Sequence, residues 1–325
     1  MSVVVVTGVS SFVGFHLANH FAMRGERVIA TLGRPRNQYQ GVAARRLASI
    51  APMVELYPLD LRQADAIPRF VDSHAPSLWI HHAGYAENYA SPDYDLDRAQ
   101  AVNVTPLSPL YRALGGGTCG IIITGSSAEY ESADSGSRED DPCNPDLPYG
   151  LSKLMQTLRA RQLAERHGVP TRVARLFIPF GTLDNPQKLV PQAVEKLRSR
   201  QPIALSPCEQ KRDFIGIGDV CTAYEKLAFD LPRAKFDIFN IASGNGIRLR
   251  DFLCNIADRL GASRSLLRFG EIAMRPGEPA VSYADIRKAQ RLLGWTPAEL
   301  DIAIDRDLLT GAGAVDAAGA NSLRH

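Results

Sequence analysis

Cysteine is scarce and poorly placed for bonding. Cys119, Cys143, Cys208, Cys221 and Cys254 are scattered, odd in number and free of C-x-x-C spacing. That argues against a disulfide framework and against a zinc site. An excess of charge is missing too. The 37 Lys and Arg against 35 Asp and Glu leave a formal net charge of +2. With no aromatic-basic groove pattern, nucleic acid is not an expected partner. No apolar run approaches the roughly 20 residues of a membrane span, and the N-terminus enters an apolar run without a basic leader. There is no internal repeat. What is present is ordinary for a globular protein: 45% hydrophobic and 22% charged residues in 325, enough for two sub-domains around a large shared core. The expectation is a cytoplasmic enzyme that binds neither membrane nor metal.

Short β-rich runs alternate with helical stretches through the first half. Residues 3–6, 27–32, 54–57, 78–81, 120–124 and 171–177 read as strands, and 12–24 as a helix. Strands separated by helices imply βαβ units and a doubly wound, Rossmann-like parallel sheet. After residue 178 prolines at 179, 186, 191, 202 and 207 interrupt the chain. Residues 236–241 read as one more strand returning to the sheet, and 247–310 as mostly helical. The expected layout is an α/β dinucleotide domain (1–177 and about 211–242) with a smaller, discontinuous mixed α/β substrate domain (about 178–210 and 243–310). Residues 311–325 are expected to be a flexible tail.

The first strand runs into TGVSSFVG, residues 7–14. Gly8 and Gly14 hold the first and third glycine positions of a dinucleotide loop, with Ser10, Ser11, Phe12 and Val13 between. The first glycine permits a tight turn, the third lets helix pack on strand, and pyrophosphate sits at the helix N-terminus. Ser11 stands where the middle glycine belongs. Its hydroxyl is expected to bond a phosphate oxygen. At the end of the second strand the chain reads Thr31-Leu32-Gly33-Arg34-Pro35-Arg36. No carboxylate is there for a ribose 2′-hydroxyl, while Arg34 and Arg36 suit a 2′-phosphate. NADP(H) is therefore favoured over NAD. Asp60, before Leu61, is either a carboxylate near the adenine amino group or a helix cap.

Tyr149-Gly150-Leu151-Ser152-Lys153 puts a phenol and an ammonium one helical turn apart. The cation is expected to lower the tyrosine pKa from about 10, so that the phenol exchanges a proton near neutral pH. The strand before it ends in Thr124-Gly125-Ser126-Ser127, at the sheet edge where such folds bind ligands. His81 and His82 are expected to be packed and hydrogen-bonded rather than metal ligands.

Together with HHAG (81–84), Asn103, GSSAEY (125–130), RLFIPFG (175–181), EQKRDFIGIGDV (209–220), FNIASG (239–244), RPGE (275–278) and ADIRKAQRLLGWTP (284–297), these motifs resemble the extended short-chain dehydrogenase/reductases. The resemblance is to the branch that acts on nucleotide sugars. It implies that Ser127, Tyr149 and Lys153 form the catalytic triad, and that Ala83 and Gly84 line the cofactor. It also implies that Arg212 and Arg275 contact the substrate diphosphate or base, and Glu278 the nucleotide ribose. Ser126, Ser127, Glu129, Ile178 and Leu189 fall in substrate-facing segments. A homodimer through a four-helix bundle, built from helices near 99–114 and 151–166, is implied as well.

Departures from the family pattern bear on the reaction. Ile178 replaces an asparagine that usually touches the sugar nucleotide, and Phe180 replaces a tyrosine. Ala128 occupies the slot where dehydratases carry an acidic Asp, leaving Glu129 as the only candidate base there. The expectation is an NADPH-dependent reductase of a 4-keto-deoxy nucleotide sugar. A 4-epimerase or dehydratase with retained cofactor is the alternative. A non-catalytic NADP-binding protein is disfavoured by retention of Ser127, Tyr149 and Lys153.

Overall fold

Valine and isoleucine runs form the strands of a parallel sheet. In the computed structural model, which describes residues 2–133, 135–274 and 278–310, the first half reads Val3–Thr7 (β1), Phe12–Met23 (α1), Arg27–Leu32 (β2), Gly41–Ile50 (α2), Glu55–Pro58 (β3), Ala66–His74 (α3), Leu78–His81 (β4), Leu96–Ala99 (α4), Leu107–Leu114 (α5), Gly120–Ser126 (β5), Pro148–His167 (α6) and Thr171–Leu176 (β6). The second half reads Ile178–Phe180 (β7), Leu189–Arg198 (α7), Ile203–Leu205 (β8), Lys211–Arg212 (β9), Phe214–Gly216 (β10), Ile217–Asp230 (α8), Phe236–Ile241 (β11), Ile247–Arg248 (β12), Leu249–Arg259 (α9), Leu267–Phe269 (β13), Val281–Ser282 (β14), Arg287–Leu293 (α10) and Leu300–Ile304 (α11). The expected tail, 311–325, and Arg275 lie outside the described residues.

Seven strands form the main sheet in the order β11-β6-β5-β4-β1-β2-β3, all parallel. The doubly wound expectation holds. The strand order reverses between β1 and β4, which opens a crevice at their carboxyl ends. Alternation along the strands divides the core. Val4, Val6, Val28, Ala30, Leu78 and Ile80 face α1 and α8. Val5, Ile29, Trp79, Ile121 and Ile123 face α3, α5 and α6. Being apolar on both sides, the strands bury both faces of the sheet.

A third core gathers Phe180, Leu197, Ile203, Phe214, Phe252, Ile256 and Ile304, with Phe214 stacked on Phe252 at 3.9 Å. Three small sheets, β10-β7, β12-β9-β14 and β13-β8, surround it. Ala289, Leu293 and Trp295 do not join it; they pack with the main sheet and α8. The chain beyond 243 therefore serves both cores rather than the smaller one alone.

Candidate active site

The glycine loop is built by close approach. Gly8 has φ +72°, and a Cβ on it would lie 2.8 Å from the Ala83 Cα, so only glycine fits the crossing of β1 over the end of β4. A Cβ on Gly14 would strike the Gly8 carbonyl. The Thr7 hydroxyl accepts from the His82 and Ala83 amides, both at 2.9 Å, and so joins the two strand ends. Gly84 lies against the Asn103 side chain, whose Oδ1 accepts from the Tyr85 amide at 2.8 Å. Asn103 sits in a π-helical turn, Gln100–Val104, between α4 and α5, a deformation common at functional sites.

Ser11 is the N-cap of α1. Its hydroxyl is committed within the protein: it donates to the Gly8 carbonyl at 2.8 Å, accepts from the Gly14 amide at 3.2 Å, and meets His82 Nε2 at 2.9 Å. The expected bond to a phosphate oxygen is thus corrected, because three inward partners saturate the group. The Phe12 and Val13 amides, which have no acceptor within the helix, remain to meet an anion beside Ser10. These residues fit a dinucleotide pyrophosphate. The Arg46 guanidinium, 5% exposed, holds the loop from below. It donates to the Ser10 carbonyl at 2.7 Å and to the Leu183 carbonyl at 2.8 Å.

At the end of β2, Arg34 lies 4.4 Å over the Tyr39 ring. Arg36 borders a cleft lined also by Asn37, Ala44 and Leu47. Among the described residues neither arginine enters an ion pair. Asp60 accepts from the Arg62 amide at 3.0 Å and pairs with its guanidinium at 2.8 Å. The arginine bonds hold that carboxyl below the usual range. Asp60 is therefore an Asx turn and not a helix cap, since α3 begins only at Ala66; Leu61 beside it is buried.

The β5 strand runs two residues past its expected end, to Ser126. A single tight turn, Ser127–Glu129, follows, closed by a capping box. The Ser126 hydroxyl accepts from the Ala128 amide at 3.2 Å, and Glu129 Oε1 accepts from the Ser126 amide at 2.9 Å. This turn directs Glu129 inward. It is 0% exposed; Oε2 accepts from Thr157 at 2.9 Å and pairs with Arg175 at 3.0 Å. Arg175 also covers the Tyr130 ring at 4.4 Å. The expected substrate-facing role for Glu129 is corrected: the carboxylate is spent on the core.

Helix α6 starts at Pro148, which suits a first helical position. It sets Tyr149 and Lys153 one turn apart, opposite the end of β5. Tyr149 is half-buried and flanked by Tyr89 and Tyr94, each with ring centroids at 5.7 Å. Burial pushes its phenol up to about 12, and a hydrogen bond with Ser126 works in the opposite direction. The expected lowering is corrected. Lys153 Nζ donates instead to the Thr124 carbonyl, at 2.6 Å, and to Gln156. Burial brings Lys153 itself down to about 8, with Glu129 opposing.

The two histidines of β4 part ways. His82 is hydrogen-bonded on both ring nitrogens, to Ser11 and, at 3.0 Å, to Thr124. His81 is 1% exposed and neither of its ring nitrogens has a partner, which corrects the expectation that both would be bonded. The ring lies where β4 ends in the apolar interior. Burial and the Lys153 ammonium drive it down to about 3, and it is neutral. Among the described residues no cluster of His, Cys, Asp or Glu is suited to a metal, and no helix is long and apolar enough to cross a membrane.

On the substrate side, Arg212 and Glu278 meet at 2.9 Å, and Gln210 donates to the same carboxylate at 3.0 Å. Two residues far apart in sequence are thus brought to one spot by the pairing of β14 with β9. Ile178, on β7, and Leu189, at the start of α7, pack at the edge of the third core.

The glycine loop at the start of α1 is that of a dinucleotide-binding sheet, and Tyr149 and Lys153 meet the end of β5 at Ser126 and Thr124. Residues 4–242 match the profile of the NAD dependent epimerase/dehydratase family, and the chain belongs to that family. It is an NAD(P)-dependent enzyme of the extended short-chain dehydrogenase/reductase group, as its motifs led one to expect. A UDP-glucose 4-epimerase of Azospirillum brasilense is 24% identical over 313 residues, 90% of this chain and 87% of the relative. A dTDP-4-dehydro-6-deoxyglucose reductase of Escherichia coli is 31% identical over 196 residues, 58% of this chain and 60% of the relative. A dTDP-glucose 4,6-dehydratase of Streptomyces venezuelae, solved with NAD bound, has a TM-score of 0.78 at 23% identity, over 94% of this chain and 95% of that one. That last likeness is one of fold.

Proposed function

We propose that the protein is an NADPH-dependent 4-ketoreductase of a nucleotide-linked 4-keto-deoxy sugar. NADPH, when bound, supplies the hydride to C4. Ser127, with Ser126 beside it, holds the carbonyl oxygen, and Tyr149 delivers the proton to that oxygen. Lys153, anchored on Thr124 and Gln156, provides a positive charge at the end of β5 and a donor for the nicotinamide ribose. Gly8, Gly14, Ser10 and the Phe12 and Val13 amides hold the pyrophosphate, Ala83 and Gly84 line the crevice, and Asp60 and Leu61 border the adenine. The pair Arg212 and Glu278 faces the nucleotide of the substrate; Ile178 and Leu189 border the sugar. This assigns the sheet to the cofactor and the third core to the substrate.

The observation that carries the reading is the end of β2. It offers Arg34 and Arg36, both free of ion pairs among the described residues, and no carboxylate. A 2′-phosphate matches that pattern, and NADPH suits net reduction. Burial of Glu129 removes the base that a dehydratase would need at this turn.

A 4-epimerase is the second reading, favoured by the extent of the epimerase relative's match. The two separate cleanly. Purified protein offered a panel of 4-keto-6-deoxy nucleotide sugars is expected to consume NADPH stoichiometrically. Interconversion of 4-epimers without NADPH consumption would sink the reductase reading. Leu151 and Leu158, 40% and 56% exposed on α6, are consistent with pairing of two subunits through α5 and α6 as a homodimer.

A further inference from the structure

The serine in the glycine loop has a partner that shows how the loop is held. The His82 ring lies between two hydroxyls: Nε2 is 2.9 Å from Ser11 Oγ and Nδ1 is 3.0 Å from Thr124 Oγ1. Thr124 Oγ1 is in turn 2.6 Å from the buried Tyr224 hydroxyl. At the other end Ser11 Oγ is 2.8 Å from the Gly8 carbonyl.

The direction of this chain follows from its end. A carbonyl only accepts, so the single Ser11 proton goes to Gly8. Ser11 then accepts from His82, which places the imidazole proton on Nε2. The bare Nδ1 accepts from the Thr124 hydroxyl, and Thr124 accepts from Tyr224. All donors point one way, from Tyr224 to the glycine loop, and the imidazole is neutral. Burial, and after it the neighbouring Lys153 ammonium, opposes a second proton on the ring.

Thr124 has a second task. Its carbonyl takes the Lys153 ammonium at 2.6 Å. One residue of β5 therefore anchors the phosphate loop through its side chain and the lysine through its backbone. The Gly8 carbonyl and the Gly14 amide hold the Ser11 hydroxyl within the loop itself, and His82 adds the third inward bond, the one that ties it to another strand of the sheet.

We propose that His82 is a positioning residue for the dinucleotide: as its neutral Nε2–H tautomer it ties the Ser11 hydroxyl to another strand of the sheet and, through Thr124, registers the loop against Lys153. This rests on the cofactor assignment above. It makes Ser11 and His82 a matched pair.

The test is a double-mutant cycle on NADPH affinity, read by calorimetry without any sugar substrate, combined with nitrogen NMR of the histidines. His82→Leu is expected to weaken NADPH about 10-fold, the effect of a lost buried hydrogen bond. Adding Ser11→Gly is expected to restore most of that affinity, because the hydroxyl left without its cross-strand partner is gone. His82→Gln, whose amide still donates toward Ser11, is expected to stay within about 3-fold of wild type. NMR of the wild-type protein is expected to show Nε2 protonated, Nδ1 bare and no titration between pH 5 and 8. Independent, multiplicative losses in the double variant overturn the proposal, as does unchanged affinity in His82→Leu. An Nδ1–H tautomer or a ring titrating in that range overturns it as well, and this measurement decides the matter if His82→Leu does not fold. A wild-type protein that binds no NADPH defeats the cofactor assignment instead, with the tautomer still deciding the role of His82.

Discussion

Replacing Glu129 by Gln tests whether that carboxylate serves the core or the chemistry. The variant keeps the shape of the side chain and an oxygen for the Ser126 amide. It cannot supply the second, charged oxygen that takes both Thr157 and Arg175. Arg175 is 3% exposed, so its guanidinium would stay buried with the Tyr130 ring, the Glu139 carbonyl and Cys143 Sγ as partners and no counter-charge. Removing one member of such a pair costs about 3–5 kcal/mol. For a chain of this length 1 kcal/mol moves Tm by roughly 1.5–2 °C, so scanning calorimetry is expected to show a fall of about 5–10 °C. Replacing both partners by apolar residues, Glu129→Leu with Arg175→Met, is expected to recover part of it, since the uncompensated charge goes too. An unchanged Tm together with a large loss of turnover would refute the reasoning and return Glu129 to the active site.

Two further outcomes follow from the site. Arg34→Ala with Arg36→Ala is expected to weaken NADPH by about 10–100-fold, the worth of a charge-assisted hydrogen bond, while NADH, lacking the phosphate, changes by less than about 3-fold; equal losses for both cofactors would remove the 2′-phosphate assignment. For pH, Lys153 lies at about 8 and Tyr149 at about 12, so the ammonium is present below pH 8 and lost above it while the phenol stays protonated. Reductive turnover at saturating substrate is expected to fall as pH rises through about 8, and a profile that rises through that range would show that the deprotonated lysine is the active form.

The sheet was legible because its strands are buried on both faces and read as unbroken Val and Ile runs, as at 3–6 and 120–124. The Tyr149-Lys153 spacing was legible because an i,i+4 pair is local. What escaped was set by contacts distant in sequence or by a single short turn. Glu129 follows closely on Ser126 and Ser127 in sequence, yet the capping box turns it into the core. Lys153 stands a turn from Tyr149 but bends to Thr124 and Gln156, leaving burial to govern the phenol. Arg46 carries no local signal at all; it matters only because α2 passes beneath the loop. His82 was read as a packed strand end, and its link to Ser11 emerges only when β4 lies beside β1.

The Arg46 contacts bear on how this enzyme can be rebuilt. Its guanidinium grips Ser10 in the glycine loop and Leu183 just beyond β7, where the chain leaves the main sheet, and His16 of α1 meets the Thr182 carbonyl at 3.0 Å beside it. The crossing between the two halves is therefore moored to the nucleotide side. A chimera that replaces residues 182–184 would leave a buried cation facing whatever backbone arrives there. Grafts that retain residues 182–184 keep the mooring.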